Sequence, residues 1–148
     1  MRLYLDNRCY NRPFDDQSQA RIHIESAAVL SIVKRARVGK EMIIGSAVLS
    51  LEMSQLSDAA KKQKVQVLYG IAGENIPFSS LIEKRAEAIM KATMIRSFDA
   101  LHIASAEAGQ VDYFLTTDDK LVKACANTTL TIKVINPLKY ITEVIGDE

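Results

Sequence analysis

The sequence predicts an α/β fold in three layers, a mostly parallel central sheet with helices on both faces. Three observations point there. Short apolar runs alternate with longer amphipathic stretches along the whole chain. Glycine, proline and small polar residues punctuate the boundaries between them. The composition is that of a folded protein, with 48% hydrophobic and 25% charged residues over 148 positions. A chain of that length suits one domain, 1–148, able to bury roughly two-thirds of the surface its unfolded form exposes.

Leu3 to Leu5 form a first short strand ending at Asp6, and the polar, proline-containing stretch Asn11 to Gln19 has loop composition. From about Ser18 to Val38, Ile22, Ala27, Leu30, Val33 and Ala36 recur at helical spacing, and Gly39 closes the helix. Met42 to Ile44 is a second strand. Ser46 is placed as the N-cap of a helix through Leu49, Met53 and Leu56, and Ser57 as the cap of another reaching Tyr69. Asn75 to Phe78 suits a third strand, and Ser79 opens a long helix through Ala86, Ile89 and Met90. Asp99 begins or continues a second helical stretch, whose small residues Ala100, Ala104 and Ala108, with Ile103, let it lie close to a sheet before Gly109 stops it. Tyr113 to Leu115 is the fourth strand, Asp118 to Ala126 a helix, Leu130 to Val134 a last strand, and Pro137 opens a short terminal helix or irregular tail.

Several function classes drop out. Nineteen basic against eighteen acidic residues give a net charge of +1, so any polyanion must be bound locally. Two cysteines, Cys9 and Cys125, are too few for a disulfide framework, lack zinc-site spacing, and fit reduced packing residues in a cytoplasm. Met1 to Leu5 is too short an apolar run for a signal-peptide core or a membrane span, and no membrane partner is expected. No GxGxxG, GxxxxGK[ST] or GxSxG pattern occurs, which disfavours nucleotide-loop and serine-nucleophile chemistry.

The remaining clue is acidic. In open α/β sheets ligands sit beyond the carboxyl ends of the strands, where Asp6 follows the first strand, Asp118 the fourth, and Glu52 lies in the helix after the second. Carboxylates gathered there suit a hard divalent ion, whose binding offsets the repulsion between like charges. A lone aspartate, however, is more often a helix cap or a solvated residue, and spacing by itself does not join these acids.

The segments Leu3-Tyr4-Leu5-Asp6-Asn7, Ser46 with Glu52 six residues on, Asp99-Ala100-Leu101-His102-Ile103-Ala104 and Phe114-Leu115-Thr116-Thr117-Asp118 together resemble the PIN-domain pattern, in order over nearly the whole chain. The resemblance implies a metal-dependent endoribonuclease, VapC-like, in which Asp6, Glu52, Asp99 and Asp118 hold Mg²⁺ or Mn²⁺ and hydrolyse RNA. Asn7, Ser46 and Thr116 would orient the ligands, and Asp119 is an alternative to its neighbour Asp118. It also implies a toxin with an antitoxin partner, a homodimer, and residence in the cytoplasm. Asn7-Arg8 departs from the small Ser/Thr pair common in the toxin subgroup. Arg8 and Arg12 are candidates for binding substrate phosphates, or else for pairing with Asp15, Asp16 and other acids. Lys34, Arg35, Arg37, Lys61, Lys62 and Lys64 are further basic candidates, although charge runs are mostly solvated helix faces. His102 reads as a packed or surface residue in preference to a catalytic one. The competing reading is a non-catalytic RNA-binding or protein-interaction module on the same fold.

Overall fold

Leu3, Tyr4 and Leu5 are wholly buried, yet successive side chains of a strand point to opposite faces, so this strand is covered on both sides. It is the centre of the sheet. A computed structural model describes residues 1–146, and the last two of the expected 1–148 span lie outside them. Strands β1 (Arg2–Leu5), β2 (Met42–Ser46), β3 (Glu74–Ile76), β4 (Tyr113–Leu115) and β5 (Lys133–Ile135) lie in the order β3-β2-β1-β4-β5. Every adjacent pair is parallel.

Strand order reverses between β1 and β4. The chain first winds from β1 outward to β2 and β3, then returns past β1 to β4 and β5. Connections leave the carboxyl ends of β1 and β4 in opposite directions, and the crevice between them is where such sheets bind ligands. The register sets Tyr4 beside Phe114 and Leu5 beside Leu115, bringing the residues after each strand into that crevice.

Among the described residues eight helices flank the strands: α1 (Asn7–Asn11), α2 (Ala20–Arg37), α3 (Ala47–Ser54), α4 (Ala59–Tyr69), α5 (Ser80–Ala92), α6 (Ser97–Ala108), α7 (Asp119–Ala126) and α8 (Pro137–Lys139), the last following β5 and running into a π-helical turn, Tyr140–Ile145. On one face, Tyr4 stacks on Phe114 and meets His102 of α6 edge-on, while α5 packs along α6. On the other, Tyr113 meets the buried Tyr140, and α8 packs on α2. The result is the three-layer α/β/α arrangement. Among the described residues no helix is long and apolar enough to cross a membrane.

Several local expectations need correction. The chain after Asp6 is a helix and a 3-10 turn (Arg12–Phe14), where Asn11 to Gln19 was expected to be loop throughout. The cap of α4 is Asp58, whose side chain accepts from the Lys61 amide, and Ser57 lies one residue outside. Strand β3 ends at Ile76, short of Phe78, and β5 begins at Lys133 where Leu130 was expected. Helix α3 stops at Ser54, leaving Leu56 beyond it. On α6 the buried small residues include Ala106, whereas Ala108 is exposed.

Candidate functional site

Asp6 stands where β1 gives way to α1, and its two carboxylate oxygens have separate partners. Oδ1 accepts the Cys9 amide at 3.1 Å and so caps α1; Oδ2 takes Arg8 Nη1 at 3.0 Å. The group is 1% exposed. Burial holds its carboxyl above the ordinary aspartate range, only partly offset by the Arg8 charge and by hydrogen bonds from Thr116, Arg8 and the Cys9 amide. An acid kept this dry, at the carboxyl end of the central strand, is an expensive arrangement for a cap alone.

Asp99 lies in the first turn of α6, and Asp118 caps α7 through Oδ1, which accepts the Lys120 and Leu121 amides at 2.9 and 3.4 Å. Arg8 joins them. Its Nη1 donates to Asp99 Oδ1 at 3.0 Å as well as to Asp6, and its Nη2 lies 3.2 Å from Asp99 Oδ2 and 3.3 Å from Asp118 Oδ2. Three carboxylates from three elements therefore converge on one guanidinium at the β1–β4 crevice.

Glu52 is not in that set. Its Oε1 lies 2.8 Å from His102 Nε2, and the Tyr4 hydroxyl lies 2.6 Å from both His102 Nδ1 and Ser46 Oγ. One proton arrangement satisfies the chain: Ser46 donates to Tyr4, Tyr4 to Nδ1, and the Nε2 proton goes to Glu52. Ser46 Oγ also accepts the Leu49 amide, capping the helix that carries Glu52. Gly45 allows this junction to form, because a Cβ there would overlap the Tyr69 hydroxyl, which binds the Ser46 backbone. His102 sits one turn beyond Asp99 on α6, so Glu52 is tied to the helix that carries Asp99.

The remaining candidates divide. Thr116 is buried, accepts the Asp118 amide at 3.1 Å, and bonds Asp6, so it fixes two of the acids. Asn7 braces α1 by accepting from Asn11. Asp119 points elsewhere: it is engaged by both Nη atoms of Arg21. Arg12 is held by Glu25 and Asp15, the second of the two roles open to it from sequence. Lys61 likewise pairs with Asp15. Two residues not singled out from sequence, Arg96 and Lys120, line the cleft beside Asp99 and Asp118 together with Met94 and Ile95. Both are exposed, and among the described residues neither pairs with a carboxylate. Only their place beside the two acids in sequence marks them.

The donor set of Asp6, Asp99 and Asp118 fits a hard divalent ion in chemistry and charge, being all carboxylate with two negative charges left after Arg8 is counted. In their present positions the oxygens stand 3.0 to 3.3 Å from guanidinium nitrogens, whereas Mg²⁺ needs ligands at about 2.1 Å. Accordingly, among the described residues no three His, Cys, Asp or Glu side chains are grouped closely enough to hold a metal ion.

No family profile matches the chain, and no curated protein matches it in sequence. Solved structures do match in shape. FitAcB from Neisseria gonorrhoeae superposes with a TM-score of 0.60 at 17% identity, covering 91% of this chain and 97% of the other. VapBC2 from Rickettsia felis, solved bound to a DNA fragment from their promoter, superposes with a TM-score of 0.64 at 15% identity, covering 92% of this chain and 98% of the other. At such identities the likeness is one of fold, and the chain has the PIN-like three-layer α/β/α architecture.

Proposed function

We propose that the chain is a metal-dependent endoribonuclease, with Asp6, Asp99 and Asp118 holding Mg²⁺ or Mn²⁺. The observation that carries this reading is the convergence of those three carboxylates in the β1–β4 crevice. A divalent ion held there would supply positive charge to the scissile phosphate and lower the pKa of a bound water for its hydrolysis. The protein's own groups do the rest. Thr116 keeps Asp6 and Asp118 in place. Glu52, the remaining acid, is not engaged by Arg8; its Oε1 is fixed by His102, one turn from Asp99 on α6, and it would serve the same pocket from that side. Arg96 and Lys120 on the cleft rim bind the flanking RNA phosphates. The fold shared with FitAcB and VapBC2 supports the toxin reading; in that reading an antitoxin would cover this pocket and a homodimer would be the working assembly.

The test is cleavage of a panel of single-stranded and structured RNAs with Mg²⁺ or Mn²⁺, with and without chelator. Removing an outer partner of a metal ligand lowers activity up to about 100-fold, so Asp99→Asn, which removes a ligand, is expected to lose at least that much. Cleavage indifferent to both the substitution and the chelator would refute the assignment. RNA bound equally by both proteins without cleavage would favour the binding-module reading.

A further inference from the structure

Every oxygen that Asp6, Asp99 and Asp118 could offer to a cation is already in use. Asp6 gives Oδ1 to the Cys9 amide, and Asp118 gives Oδ1 to the amides of α7, so in each the oxygen free of backbone bonds is Oδ2. Both of those Oδ2 atoms contact Arg8. Asp99 has no capping bond, and both of its oxygens also go to Arg8. The guanidinium thus takes every oxygen of the three acids that is free of a backbone bond, the ones most open to a metal.

We infer that Arg8 and a divalent metal are alternative occupants of one pocket, making Arg8 the residue that sets the chain's affinity for metal. The inference rests on the proposed metal site and goes further, since it assigns the competitor to the protein itself. Geometry enforces the exclusion. A guanidinium holds its carboxylates at hydrogen-bond distance around a flat fork, while Mg²⁺ draws oxygens to about 2.1 Å around a point. Charge makes the exchange possible: one guanidinium among three carboxylates leaves the pocket with two negative charges, which a divalent ion balances better than Arg8 does. Arg8 also has a way out. Its side chain is 39% exposed and projects from the first turn of the five-residue α1, at the mouth of the cleft lined by Arg96 and Lys120. Metal loading therefore includes withdrawal of Arg8 toward solvent, and the metal-free protein is held latent by its own side chain.

The experiment is direct Mn²⁺ binding, by calorimetry and by electron paramagnetic resonance of the free ion, to wild-type protein, Arg8→Gln and Arg8→Lys. Charge-assisted bonds of this kind are strong enough that removing the competitor should tighten binding at least about tenfold in Arg8→Gln. Arg8→Lys keeps the charge but has no fork to span three carboxylates, so it should also bind more tightly than wild type, by a smaller factor. It carries the comparison if the uncharged variant does not fold. Equal affinity in wild type and variants would overturn the role of Arg8 while leaving the metal site standing. Failure of all three to bind millimolar Mn²⁺ would overturn the metal site and the inference with it.

Discussion

Asp6 serves two masters, a helix cap and a cation pocket, and the two can be separated. Asparagine retains an oxygen for the Cys9 amide but carries no charge. Because burial raises the Asp6 carboxyl above its unfolded value, the folded state disfavours the ionised form. That penalty is absent below the ordinary aspartate range and complete above the raised folded value. Asp6→Asn measured in chelator should accordingly melt about 2–4 °C higher than wild type at pH 7, as about 1 kcal/mol does in a domain of this size. The gain should close toward pH 3; a lower melting temperature at pH 7 would show that the Arg8 contact outweighs desolvation. The meeting of Asp6, Asp99 and Asp118 was legible in the segments that carry them, whereas the separate place of Glu52, expected as a fourth ligand, was not. The pairing of Arg8 was not, because its partner Asp99 lies 91 residues further along. The same distance problem hid the Glu52 contact with His102, 50 residues apart, so a histidine read as merely packed or superficial is buried with both ring nitrogens bonded.

Among elements, capping residues located three helix starts, those of α3, α5 and α7, and failed where two candidates were adjacent. Ser46, Ser79 and Asp118 cap as their sequence positions suggested, but Asp58 takes the role expected of Ser57. Helix α1 was invisible for another reason. Five residues are far too few for a stable isolated helix, and it exists because Asp6 caps it and its own Cys9 and Tyr10 are buried in the core. Sheet-edge strands β3 and β5 were misplaced because they are exposed or half-buried and lack the buried apolar run that marks the equally short β4. One tie between elements can be tested by pH. Glu107 of α6 accepts from Arg85 of α5 and from the backbone and hydroxyl of Thr131, so it joins the α5–α6 pair to the segment before β5. Burial alone would raise its carboxyl, but the Arg85 and Thr131 donors prevail and hold it below the ordinary glutamate range. A depressed acid contributes stability above its unfolded value and loses it as pH falls through the folded one. Glu107→Gln should therefore melt about 2–4 °C below wild type at pH 7, with the two curves meeting in strong acid. A constant difference across pH would assign the loss to packing.

The whole molecule carries a net charge of +1, so the RNA binding proposed above would come from a few placed cations and not from a general field. Most candidates are already engaged or remote. Arg12 and Lys61 are held by acids, Arg21 by Asp119 and Glu25, and Arg8 by the pocket itself. Arg96 and Lys120 remain at the cleft. Each phosphate neutralised on a single strand contributes about −0.7 to the slope of log affinity against log salt. For a fluorescently labelled single-stranded RNA in chelator, which prevents cleavage and leaves Arg8 in place, two such contacts predict a slope of about −1.4. Replacing Arg96 or Lys120 with glutamine should lower its magnitude by about 0.7 each, leaving binding nearly salt-independent when both are changed. A slope near −5 would instead require about seven contacts, a broad basic surface that takes in exposed cations such as Lys34 and Arg37 on α2. That outcome would move the RNA path off the acidic crevice and onto the outer face of the molecule.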